Sequence, residues 1–353
     1  MLWLNAVRTK LAAEGYRFSE PLLLLLSQGI DLYYRSAPVD GCWNLSAKSP
    51  QLLQNLAGAL GLYLEDFHTE RLDRLYEEIH KTLSLYWLPM IELSAQWLDE
   101  PTAPVVPDLL LLVTGRSADL KELVLLHPDR QEYVQLSRAR LEAAGQEPSA
   151  LPLREGRRGW RWMLLNSPSP IKPVLPPIEW SLTTALHGWT HRFLYGRDLG
   201  GAPGQTGLAA FRHWSADLQR LADGAVGIEA EALRQRLRTV VQGEFGPDWG
   251  RRLWAEGLRE AAPILGCELA AVAEHYEQLA EAWSRLTHLF VDPEPRGPAL
   301  FREAARQVTA IASLEESAAR RLRKELHVHG VGGEARGPAT RVSTSTESHL
   351  PVR

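Results

Sequence analysis

The sequence predicts an α+β protein whose two halves differ in the period of their apolar residues. Three observations carry this. Helical spacing dominates the first hundred residues. Two short continuous apolar runs, Leu109 to Val113 and Leu123 to Leu126, then break that period. Finally, beyond a proline-rich stretch at 166–177, apolar residues recur only at three- and four-residue steps. A small antiparallel sheet with its helices is expected before the prolines, and an all-α helical domain after them.

Taken in order, Leu4, Val7, Leu11 and Ala12 share one helical face, and Gly15 is placed to end it. Leu22 to Leu26 are five consecutive leucines stopped by Ser27 and Gln28, far short of the roughly 20 apolar residues a membrane span needs. With charged residues before it and no small-residue cleavage site after it, the run is read as a buried helix or strand and not as a signal peptide. A helix is predicted over Ser49 to Leu60, capped by Ser49, opened by Pro50, buried through Leu52, Leu53, Leu56 and Leu60, and closed by Gly61. Another runs from Leu72 to Leu83 on Leu75, Tyr76 and Ile79.

Leu109 to Val113 and Leu123 to Leu126, parted by the polar turn Arg116 to Asp119, read as paired strands, with Tyr133 to Leu136 and Trp160 to Leu165 as further ones. Five prolines in the twelve residues 166–177 leave too few donors for a helix or a central strand and mark a linker. Helical stripes then follow at Leu253 to Leu265, Leu269 to Leu286 and Ala299 to Leu326, with Gly266 and Cys267 as a turn. From His327 on, glycine, serine, threonine and charge predict a disordered tail. The expected division is 1–165, 166–177, 178–326 and 327–353.

A net charge of −4 gives no overall basic field, so nucleic acid is not the expected partner, and no membrane is expected either. Two cysteines far apart, Cys42 and Cys267, exclude a cysteine-based zinc finger, an iron–sulfur cluster and a disulfide scaffold, and a reducing, cytoplasmic setting is the simple expectation.

WGRRLWAEGLREAAPILG (249–266) and AAVAEHYEQLAEAWSRLTHL (270–289) are similar to the helical C-terminal domain that accompanies N-terminal domains of the butirosin biosynthesis protein H type. GQTGLAAFRHWSADLQRL (204–221) resembles the Gly-Leu-Ala-x-Leu-Arg opening helix of that domain. In the first half, LNAVRTKLAAEGYRFSEPLLLLLSQG (4–29) looks like the family's first helix and its Ser-Glu-x-Leu segment. KSPQLLQNLAGALGL (48–62) looks like its Arg-Ser-x-x-Leu-x-x-Asn-Leu helix. The resemblance covers about residues 1–325 through many weak positions.

It implies a papain-like N-terminal domain that moves an acyl group from a carrier-protein thioester to an amine. That chemistry needs a thiolate, a histidine to activate it and an Asp or Asn to orient the histidine. The register of the resemblance puts the family cysteine near Leu2 or upstream of Met1, the histidine at Asp108 or Leu109, and the aspartate at His127. None of these positions keeps its residue. The expectation is a catalytically degenerate relative that binds or scaffolds, with an acyl carrier protein or a small amine or acyl ligand as partner and no cofactor or metal. The alternative is an active acyltransferase or thioester hydrolase, through Cys42 with His68 or His127 as base or through a cysteine upstream of Met1. A homo-oligomer formed through the tryptophan-rich helical domain is compatible with either.

The remaining motifs are weaker. Beside Trp43, Cys42 reads as a small buried hydrophobe. His187 and His191 have zincin spacing, but Gly188 stands where the zincin glutamate belongs, and His327 and His329 add no ligand pattern. Gly200 to Gly207 could offer N–H groups to a phosphate ahead of a helix, though a connector is the simpler reading. Trp180, Trp189, Trp214, Trp249, Trp254 and Trp283 are expected in the core, and the arginines of 154–161 and 320–324 on solvated faces or against an acidic carrier protein.

Overall fold

The leucine run and the apolar strands end up in different bodies. In the computed structural model, which describes residues 2–36, 44–94, 97, 108–117, 119, 121–127, 130–146, 158–166, 175–196, 204–224, 234, 246–291 and 297–328, the chain forms two compact units. One gathers Leu2–Arg17 with Gly61–Leu175, and the other gathers Phe18–Leu60 with Pro176–Ala335. The division therefore differs from the sequence expectation of a break near residue 165. Residues 18–60 fold with the helical half, because the polar and aromatic partners of that segment lie there. The 166–177 linker lies outside the described residues apart from its ends, as does the tail beyond Val328.

The first unit is built on a six-stranded antiparallel sheet in the order β3-β8-β4-β5-β6-β7. Its strands are β3 (Tyr63–Thr69), β4 (Met90–Ser94), β5 (Asp108–Arg116), β6 (Glu122–His127), β7 (Glu132–Ser137) and β8 (Trp160–Asn166). The expected pairing of Leu109–Val113 with Leu123–Leu126 is present, with Leu112 opposite Leu126 and Val113 opposite Leu125. Helix α1 (Leu2–Ala13) packs on β5, while α4 (Leu72–Ser84) and α5 (Arg138–Gln146) complete the unit.

Because side chains alternate along a strand, β5 sends Leu109, Leu111 and Val113 into one core with Ile91, Leu93, Leu123, Leu125, Trp160 and Trp162, closed by Leu75, Tyr76 and Ile79 of α4 and Leu141 of α5. Leu110 and Leu112 are as fully buried but lie outside that cluster, on the sheet face that α1 covers. Trp160 Nε1 donates to the Leu141 carbonyl at 2.8 Å, and Gly145 in α5 leaves room for its indole, with which a Cβ there would collide.

The second unit is not all helix. Strands β1 (Ile30–Arg35), β2 (Asn44–Lys48) and β9 (Gln205–Thr206) make a three-stranded sheet, β2-β1-β9, among α2 (Glu20–Leu26), α3 (Leu52–Leu60), α6 (Ile178–Tyr195), α7 (Gly207–Ala222), α8 (Arg251–Leu265), α9 (Ala270–Val291) and α10 (Pro298–Val328). Ser19 caps α2 by accepting the Leu22 N–H, and Leu23 to Leu26 are completely buried. The α3 helix begins three residues later than the sequence suggests. Ser49 instead closes a turn in which its carbonyl accepts the Leu52 N–H at 3.2 Å, while Leu52, Leu53, Leu56 and Leu60 are buried as expected.

What joins residues 18–60 to this unit is a set of buried polar contacts. The Asp31 carboxylate, 1% exposed, accepts the N–H groups of Leu32 at 2.8 Å and Gly207 at 2.9 Å on one oxygen, and faces Arg192 Nε at 3.4 Å on the other. Arg192 also donates to the Gln28 side chain and carbonyl. Trp189 Nε1 donates to the Ile30 carbonyl at 2.7 Å, and the Tyr34 hydroxyl to Asp217 at 2.6 Å. Gly207 has φ +58° beside the Phe193 carbonyl, with no space for a Cβ.

Deeper in the unit, Trp249 stacks on Trp283 with centroids 4.2 Å apart, and Trp214 flanks both. The fully buried Arg251 and Glu315 pair at 2.8 Å, and Trp283 Nε1 donates to the same carboxylate oxygen at 3.0 Å.

Two outcomes test this division. Asp31→Ala leaves Arg192 buried without its carboxylate and is expected to lower stability by about 3–5 kcal/mol, read as a reduced urea midpoint. A fragment of residues 176–328 lacks the partners of Trp189, Arg192 and Asp217, so it is expected to melt without a cooperative transition, whereas the full chain gives a sharp one.

Candidate functional site

Of the positions assigned by the resemblance, Leu2, Leu109 and His127 do not converge, and the side chain of the alternative Asp108 lies outside the described ones. Leu2 opens α1, on one face of the six-stranded sheet. Leu109, 2% exposed, points into the opposite core with α4 and α5. His127 follows Leu123 and Leu125 in the same alternation and is buried at the end of β6. There its Nδ1 accepts the Arg130 N–H at 3.3 Å and its carbonyl accepts the Gln131 N–H at 2.9 Å, so the residue closes the β6–β7 turn.

The face that carries α1 also carries an ion cluster. Arg161 on β8 donates to both oxygens of Asp66, at 2.9 and 2.7 Å, and to Glu92 at 2.9 Å, and its guanidinium lies 6.0 Å from the Trp3 ring centroid. Burial opposes the charge, but the Asp66 hydrogen bond and the two carboxylates hold the Arg161 pKa above its ordinary value. A permanently charged guanidinium tied to two carboxylates can neither attack a thioester nor shuttle a proton at neutral pH.

Among the described residues Cys267 is the one thiol, and Cys42 lies outside them. Burial pushes the Cys267 thiol above its usual range, and the Glu325 and Glu268 charges push the same way. A nucleophile needs the opposite. His68, on β3, is tied to the Arg158 carbonyl at 2.6 Å. His187 and His191 do lie on a helix, but His187 sets its ring against His327 and His191 against Tyr195. Among the described residues no group of three or more metal-ligating side chains is assembled, and His329 lies outside them.

The glycine segment also receives a different explanation. Gly200 to the residue before Gly204 lies outside the described residues, and the Gly207 N–H at the start of α7 is already taken by the chain's own Asp31 carboxylate. Trp189, Trp214, Trp249, Trp254 and Trp283 are core, and Trp180 is partly buried. Arg320 pairs with Glu316, and Arg323 contacts the Tyr195 hydroxyl.

A concave site forms at the other end of β5, six or so residues, or roughly 20 Å, from Leu109. After α4 ends, Leu85 and Tyr86 turn back through N–H bonds to Thr82 and Leu83. Tyr86 takes a left-handed φ of +60°, uncommon for an aromatic residue, and is 95% exposed, beside a 41% exposed Trp87. Opposite them, a register shift between Val113 and Gly115 makes the end of β5 irregular. His80, Leu83, Tyr86, Trp87, Leu88 and Arg116 thereby surround an open cleft of about 400 Å³. Its aromatic walls, one guanidinium and one imidazole suit a small ligand with an apolar body and a polar or anionic end. The sequence signal, consecutive Leu85-Tyr86-Trp87-Leu88 just past a helix end, was there to be found, but nothing in it distinguishes exposed aromatics from core ones.

Residues 172–322, less than half of the chain, match a family described as a domain of unknown function, DUF4872. No curated protein matches the chain. No helix among the described residues is long and apolar enough to cross a membrane.

In the Cys42→Ala protein, Cys267 is expected to react with a thiol reagent at neutral pH only as fast as the protein unfolds. Rapid labelling of the native state would contradict its raised pKa and burial.

Proposed function

We propose that this chain is a catalytically degenerate homologue of a natural-product acyltransferase, with a papain-like ancestry for its sheet unit. In this reading it is a cytoplasmic binding or scaffold protein of a bacterial biosynthetic pathway, and it holds an acyl carrier protein or a small amine or acyl ligand. One observation carries the reading. The positions that the resemblance gives to the triad hold Leu2, Asp108 or Leu109, and His127, none of them the residue the chemistry needs, and Leu109 lies in the core on the face opposite α1. An acyl-transfer site needs its thiol and imidazole within hydrogen-bond reach.

The ligand is placed in the Tyr86–Trp87 cleft, where exposed aromatic surface and a distorted backbone coincide. Self-association through the helical domain has weaker support, because five of the six tryptophans that suggested it are used inside their own core.

The purified full chain is expected to leave hydrolysis and aminolysis of an acyl N-acetylcysteamine thioester at the buffer rate. Turnover above that rate, lost in Cys42→Ala, would overturn the proposal. Acyl-pantetheine is expected to bind in calorimetry and to bind about tenfold more weakly, a change of about 1.4 kcal/mol, in Trp87→Ala. Unchanged affinity in that variant would exclude the cleft as its site.

A further inference from the structure

A second concave surface lies wholly within the helical unit, where α7 packs against α10, and its charge differs from that of the chain as a whole. The groove encloses about 570 Å³. Its floor includes the buried Ala305 of α10, with Ala312 beside it and the exposed Ala216 across from it on α7. The hydroxyls on that floor are satisfied internally: Ser215 and Thr309 lie 2.9 Å apart, and each also bonds the Ala305 carbonyl. The floor therefore presents little unmet polarity to an incoming group.

Three guanidiniums line the groove, Arg212 on one helix and Arg302 and Arg306 on the other, and no carboxylate is among the described residues that do. Arg306 is held by Glu303, whose carboxyl the Arg306 hydrogen bond lowers to about 2, so that pair is internally neutral at physiological pH. Arg212 and Arg302 are exposed and make no ion pair among the described residues. A chain with a net charge of −4 thus places two uncompensated cations on opposite sides of one apolar trough.

We propose that this groove docks an acidic amphipathic helix of a partner protein. From Arg302 to Ala312 the groove follows about three turns of α10, roughly 15 Å, enough to seat three turns of a second helix. Alanines on the floor let that helix approach closely, as an apolar face laid into a groove requires. Arg212 and Arg302 then meet carboxylates on its two flanks, which fixes its register and repels basic helices. The inference is independent of the thioester reading, since it concerns residues of the helical unit alone.

The test uses the full chain and fluorescence polarisation of a labelled helical peptide that carries glutamates on both sides of an alanine–leucine stripe. Its twin has glutamine at each glutamate. The glutamate peptide is expected to bind saturably and to weaken with salt. Its affinity should fall about tenfold or more in Arg212→Glu combined with Arg302→Glu, with the melting transition of the variant unchanged because both side chains are exposed. Ala216→Leu, which narrows the groove without altering charge, is expected to weaken binding as well, which diffuse attraction to a basic surface would not produce. No saturable binding, equal binding of the glutamine twin, or unaltered affinity in the charge-reversed or narrowed variants would overturn the proposal. So would displacement by inorganic phosphate beyond that of chloride at equal ionic strength, which would make the groove a site for free anions.

Discussion

A carboxylate removed from water must be met by donors, and in this chain that requirement at Asp31 joins segments distant in sequence. Its two oxygens take the Leu32 and Gly207 N–H groups and face the Arg192 guanidinium. Burial draws the Arg192 pKa below its ordinary value, while Asp31 acts in the other direction and keeps the guanidinium charged. These contacts fix β1 against α6 and the beginning of α7, and they set where Trp189 and Tyr34 find their own partners at Ile30 and Asp217. The neighbouring positive-φ glycine serves the same end, since a side chain at 207 would press on the Phe193 carbonyl and move the N–H that Asp31 receives.

The core beneath this junction combines stacked indoles with a buried ion pair. Trp214, Trp249 and Trp283 supply large apolar area, and Arg251 lies 4.9 Å over the Trp283 ring while it holds Glu315. Such a pair contributes little net stability compared with apolar residues of the same size, but losing either partner leaves a charge stranded. Through it and the Trp283 N–H, groups of α8, α9 and α10 meet at one carboxylate oxygen.

In the sheet unit the governing constraint is strand alternation. Every residue of β5 belongs to one face or the other, so Leu109 cannot share a site with the start of α1, whatever its side chain. The face toward α1 is occupied by Arg161 with Asp66 and Glu92, and the exposed aromatic surface collects at the far end, where α4 stops and β5 is irregular. The aromatic cleft lies at the other end of β5 from Leu109, and the arginine-rimmed groove is built from residues of the helical unit alone.

Local pattern alone determined much of the fold. The α+β class, the paired strands at 109–113 and 123–126, the stripes of α4, α8, α9 and α10 and the interior placement of five tryptophans all follow from apolar spacing, which is set within a few turns or a few residues of chain. The five strands β1, β2, β3, β4 and β9 were not legible. β3 is largely exposed and charged on both faces, β4 is five residues long, and β1 follows directly on the leucine run. Their identity comes from pairing with strands distant in the sequence, as Tyr33 with Thr206 and Tyr63 with Asn166. The same holds for the sites. Tertiary structure decided that residues 18–60 join the second half, that the anion at the start of α7 is Asp31, and that Leu109 and His127 are turned from α1. Each depends on which distant group answers a buried charge or which face a strand presents, and neither is encoded in the spacing of nearby residues.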